Sequence, residues 1–141
     1  MLNKEQMDSM YFPKSSNNTL GLMMMANGTG WDATGFGMLD LVDAPTVNWN
    51  ATGNQFRTAR LFLTTTRTMA FPTGMIPGVA YNLIVVQNVA GSGLNWDAKF
   101  FFPGKIKPVL STAQYSIDVF TFLFDGTNLY GTMQKSFGTG V

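Results

Sequence analysis

Histidine and cysteine are both missing from this chain of 141 residues. Without imidazole there is no Ser-His-Asp triad, no Cys-His pair and no histidine-ligated metal. Without thiols there is no disulfide framework, and zinc would depend on carboxylates alone, which is rare. Charge is also scarce: 12% of residues are Asp, Glu, Lys or Arg, about half the usual share. The nine basic side chains are scattered and leave a net charge of +1, which gives little pull on a phosphate backbone, so no nucleic acid is expected as a partner. Arg57, Arg60 and Arg67, interleaved with Phe56 and Phe62, come closest to a cluster. They read as the polar face of a strand. No apolar run approaches the length of a membrane span, and no export signal is expected, because polar residues follow Met1.

Eight acids remain: Glu5, Asp8, Asp32, Asp40, Asp43, Asp97, Asp118 and Asp125. Asp40 and Asp43 are three apart, which on a strand puts them on opposite faces rather than in a glycosidase pair. Asp32 and Asp97 each follow a tryptophan and read as turn aspartates beside a half-buried ring. No calcium-loop pattern is present. The Gly-x-Gly triplets at 28/30, 35/37 and 91/93 lack phosphate-loop spacing and open no helical pattern, so they read as loop glycines. No catalytic residue, cofactor or metal site is expected.

What the chain does have is aromatic content, 13% of residues, arranged in short β-like runs. Leu20 to Ala26, Gly37 to Val42, Thr46 to Asn50, Phe56 to Thr66, Val79 to Val89, Asp97 to Phe102, Ile106 to Ser111, Ile117 to Phe124 and Asn128 to Met133 alternate or run apolar between turn signals. Tyr81, Leu83, Val85 and Val89 fall on one face of their strand, with Ile84 and Val86 on the other, so its middle is expected to be covered on both sides. Phe120, Phe122 and Phe124 share a face, and Asp125-Gly126 follows at once as a hairpin turn. Gln87 offers an amide for a backbone group at a strand end, and Asp118, set among apolar neighbours, requires donors from an adjacent turn. In Met23-Met24-Met25 the outer two read as core and the middle one stays open. The expected fold is all-β, an antiparallel β-sandwich of jelly-roll-like type spanning 19–141. Residues 1–18, polar with Met7, Met10, Tyr11 and Phe12 as apolar points, are expected to form an extended N-terminal arm.

From about Arg60 to Gly131 the order of residues carries a resemblance. It runs through Tyr81-Asn82-Leu83-Ile84-Val85-Val86-Gln87, then Phe102-Pro103-Gly104, then Asp118 with Phe122, and closes on Asp125-Gly126-Thr127 and Tyr130-Gly131. This resembles a β-domain of tailed-bacteriophage virion surface proteins, found in capsid decoration (cement) proteins and fibre tips. The pattern there reads Y-x-L-x-V-x-Q, W-P-G-G-x-x-P and D-x-x-x-F-x-x-D-G-T-x-x-Y-G. Phe102 stands for the usual Trp and Lys105 for the second Gly, which changes the turn around Pro103-Gly104.

The resemblance implies a structural role in the virion and no enzyme activity. A cement protein is the first expectation: a homotrimer on the outer capsid surface, made in the host cytoplasm and binding the major capsid protein. Its arm would grip through Met7, Met10, Tyr11 and Phe12. The length favours this over a fibre, which needs a shaft. The alternative is a receptor-binding or fibre-tip module holding a host glycan on Trp31, Trp49 and Trp96.

Overall fold

The structure, a computed structural model, describes residues 23–26, 31–34, 37–52 and 57–138, the first two segments by backbone alone. The chain divides into two compact units, Met1–Phe36 and Gly37–Val141. The arm expected over 1–18, with Met7, Met10, Tyr11 and Phe12, lies outside the described residues.

In the first unit β1 (Met23–Ala26) pairs antiparallel with β2 (Trp31–Thr34). The side chains of Met23, Met24, Met25 and Trp31 lie outside the described residues.

Among its described residues the second unit holds nine strands: β3 (Met38–Asp40), β4 (Thr46–Val47), β5 (Thr58–Leu63), β6 (Arg67–Met69), β7 (Ala80–Gln87), β8 (Leu94–Trp96), β9 (Phe100–Phe101), β10 (Ile117–Phe124) and β11 (Leu129–Phe137). They form a six-stranded sheet in the order β3-β5-β7-β10-β11-β9 and a three-stranded sheet in the order β4-β6-β8. No α-helix occurs among the described residues, so the fold is all-β with mixed sheets.

From β3 to β8 the chain alternates between the two sheets, and each strand lies parallel to the one before it in its own sheet. Met38 stands opposite Thr58, and Thr58 opposite Asn82. Thr46 stands opposite Thr68, and Thr68 opposite Asn95. A parallel pair needs a crossover, and here each crossover includes a strand of the other sheet. The connectivity is that of a parallel coil, with turns of unequal length. The β10–β11 hairpin then adds antiparallel to β7, and β9 joins the far edge parallel to β11.

This corrects the antiparallel expectation: among the described strands, five of the eight pairings are parallel. Alternation along a half-buried strand is the same whichever way its neighbour runs, so the residues do not distinguish the two. The segment Ile106 to Ser111 is also not a strand. Pro108 removes a ladder donor there, Ile106 and Val109 point to solvent, and the segment is anchored at its end by buried Leu110 and Ser111.

Both sheets feed one core. Leu61, Leu63, Leu83, Val85, Phe120 and Phe122 enter it from the large sheet, and Val47, Met69 and Trp96 from the small one. Trp96 is its hub, with ring centroids 4.9 Å from Phe120, 5.0 Å from Phe100, 5.2 Å from Phe102 and 5.8 Å from Phe122. These are tilted or edge-on contacts, the geometries aromatic rings prefer. Gly131 stands opposite Phe122 in the hairpin. A Cβ on Gly131 would lie 2.5 Å from the Phe122 ring and 3.1 Å from that of Phe102, so only glycine lets those rings lie against the strand.

Candidate functional site

The residues of the resemblance are architectural. Gln87, buried, donates from Nε2 to the Ser92 carbonyl (2.6 Å) and accepts from the Ser92 N–H at Oε1 (3.1 Å). That closes the β7–β8 turn, as its amide leads one to expect. Asp118 lies on the core face of β10 with 1% exposure and is the one buried charged side chain among the described residues. It accepts from the Ser111 N–H (2.7 Å), the Ser111 hydroxyl (2.7 Å) and the Ser136 N–H (3.0 Å). The β10–β11 register shifts at this point, and Ser136 has φ 57°. The carboxylate thus receives an N–H that the bulge takes out of the ladder.

In the hairpin turn Asp125 accepts from the Thr127 N–H (2.7 Å), the Asn128 N–H (2.6 Å) and the Tyr130 hydroxyl (2.8 Å). Gly126 has φ 98°, a region that costs glycine nothing. The two amides, followed by the phenol, hold the Asp125 carboxyl below the usual range, and the same bond raises Tyr130.

The arginines expected on the polar face of one strand are separated: Arg57 precedes β5, Arg60 lies on β5 of the six-stranded sheet and Arg67 on β6 of the three-stranded sheet. Arg60 makes a fork to Asp40 (2.7 and 3.1 Å) and lies 4.9 Å over the Phe62 ring. Arg67 makes one to Asp43 (2.7 and 3.3 Å), and Thr64 donates to the same carboxylate. Each acid is held below its usual range, chiefly by its arginine. Asp40 and Asp43 are therefore engaged separately, and Asp97 accepts from the Lys99 N–H within a turn. No group of three potential metal ligands occurs among the described residues.

Trp49 and Trp96 require a correction. They are 1% and 5% exposed and belong to the core, so neither offers a ring face to a glycan. Burial area outweighed their loop-like neighbours: a tryptophan gains most by packing. Neither indole N–H has a hydrogen-bond partner among the described residues, an internal penalty the aromatic packing offsets.

Two surfaces remain that the sequence reading did not single out. The first is the outer face of the six-stranded sheet. Phe62 stands beside Val86, Val86 beside Ile117, and Ile117 beside Phe137, with the Ile84–Val119 pair in the next row. Phe62 and Phe137 are exposed and the other four are half-buried, forming a contiguous apolar stripe. The signal was present in the alternation of β7 and β10, whose two faces are both apolar.

The second surface is a groove of about 620 Å³ at the β9 edge, lined by Phe100, Phe101, Phe102, Gly104, Lys105, Lys107 and Tyr130. The Phe101 and Tyr130 rings meet edge to face at 5.6 Å. After Phe102 the chain enters a 3-10 turn over Pro103–Lys105, in which Gly104 and Lys105 have φ 67° and 61°. Comparison with known proteins returned no matching family model, no matching curated protein and no matching solved structure.

Proposed function

We propose that the chain is a structural virion protein of a tailed bacteriophage, a capsid decoration protein that binds the outer capsid surface and stabilises the shell. The observation that carries the proposal is that Asp118, Phe122, Asp125, Gly126, Tyr130 and Gly131 of the phage-like ending each have a distinct part in building one hairpin. The resemblance is thus one of construction, and the role it supports is structural rather than catalytic. In this reading the two sheets around one core form a β-sandwich that carries an arm over 1–18. The apolar stripe from Phe62 to Phe137 supplies subunit contacts for a homotrimer, because an exposed face of this kind resembles a divided core.

The arm grips the major capsid protein through Met7, Met10, Tyr11 and Phe12. Each fully buried large apolar side chain contributes roughly 1.5–3 kcal/mol, and three arms on one trimer reinforce each other through effective concentration. Deleting residues 1–19 is expected to leave a folded protein that no longer decorates particles. A deletion variant that occupies the shell at full level overturns the arm. The receptor-binding alternative loses Trp49 and Trp96 as contacts, since both are core residues.

A further inference from the structure

The groove at the β9 edge combines three features. Phe101 and Tyr130 are 44% and 46% exposed, and their rings stand at 77° to each other, so the wall presents two apolar planes. The Tyr130 hydroxyl is engaged by Asp125 at 2.8 Å, which fixes that ring before anything binds. Two ammonium groups, Lys105 and Lys107, border the same space, and neither forms an ion pair with a described residue. Lys105 also occupies the left-handed region at φ 61°. Glycine would adopt that backbone without cost, and a lysine does so at about 1 kcal/mol. A strained position that nevertheless carries a cation points to use of the cation.

We infer that this groove binds an acidic oligosaccharide, with a sugar ring against Phe101 and Tyr130 and its carboxylate at Lys105 and Lys107. The volume lies within the range of small-molecule sites. A pyranose has an apolar C–H face and a hydroxyl rim, which suits half-exposed rings at a wet edge. Charge complementarity selects an acidic sugar over a neutral one. The edge does not suit a peptide added as a strand: β9 has two residues and runs into Pro103, which has no N–H. The inference does not rest on capsid attachment.

The test is titration of the full-length, isotope-labelled protein with trigalacturonic acid, followed by amide chemical shifts. Maltotriose and tetraglutamate serve as neutral and peptide comparators. Shifts at Phe101, Lys105, Lys107 and Tyr130 are expected with trigalacturonic acid, weakening as salt rises. Lys105→Gly keeps the turn, because glycine accepts its backbone. Combined with Lys107→Ala it should reduce affinity about tenfold or more, while the hairpin amides of Thr127 and Asn128 stay unmoved in the free protein. Phe101→Ala should abolish saturable binding. Absence of shifts in the groove overturns the inference. So does maltotriose binding equally well, or tetraglutamate binding in place of the saccharide.

Discussion

Replacing Asp118 by alanine removes the acceptor for three donors at once: the Ser111 N–H, the Ser111 hydroxyl and the Ser136 N–H. Leaving a buried donor unpaired costs roughly 1–3 kcal/mol. Ser136 is exposed and its N–H can recruit water, so the two Ser111 donors carry most of the loss. Ser111 is buried, and its hydroxyl has one other neighbour, the Ser136 hydroxyl at 2.9 Å. Relief from burying a carboxylate offsets part of the penalty. The net expectation is about 3–5 kcal/mol, the range for breaking a buried charged network by removing one partner. Asp118→Asn keeps one acceptor oxygen but turns an NH2 group toward donors, and should cost about 2 kcal/mol. Urea unfolding measures both, as a lower midpoint at unchanged slope. A double-mutant cycle with Ser111→Ala should return a coupling above about 1 kcal/mol. A loss under about 1 kcal/mol for Asp118→Ala would refute the reasoning, because the bulge would then be satisfied by other means.

Three further outcomes follow from the hairpin and the core. Phe122→Ala should cost about 3–5 kcal/mol by opening a cavity under Trp96, read by urea unfolding. Gly131→Ala should cost several kcal/mol despite adding one methyl group, because that methyl meets the Phe122 and Phe102 rings. Gly126→Val should destabilise more than an ordinary surface change, since φ there is 98°; tolerance of valine would remove the tight turn. Stability should also fall in acid. Asp43, held by Arg67, and Asp125, held by the Asn128 and Thr127 amides, both titrate below the usual carboxylate range, so their contribution is complete above that range and is lost as pH drops through the folded pKa. Thermal midpoints that stay constant from pH 6 down to about 3 would contradict it.

The parts of the fold legible in the sequence are those set by local chemistry. Asp125-Gly126 fixes its turn, the alternation of Tyr81, Leu83 and Val85 identifies a core face, and Asp118 among apolar neighbours demanded donors that Ser111 and Ser136 supply. Direction of pairing was not legible, because β3, β5 and β7 pair through their backbones and their side chains do not record which way a neighbour runs. The coil was hidden for a related reason: its turns differ in length, so no fixed period marks the sequence. Three short strands, Trp31–Thr34, Arg67–Met69 and Leu94–Trp96, escaped notice because three or four residues give alternation too little length to register. Of the candidate surfaces, Trp49 and Trp96 misled because a loop-like setting does not preclude burial. The groove depends on β9, the 3-10 turn and β11 meeting, which no single segment announces.

The measurement closest to the central proposal is whether this protein is present on purified tailed-phage particles and where on them it sits. Electron cryomicroscopy of intact particles, with antibody labelling as a second readout, distinguishes shell from tail. The account predicts trimeric density on the outer face of the capsid shell, with N-terminal segments lying against the major capsid protein. Density confined to the tail tip, or no association with the particle, would contradict it.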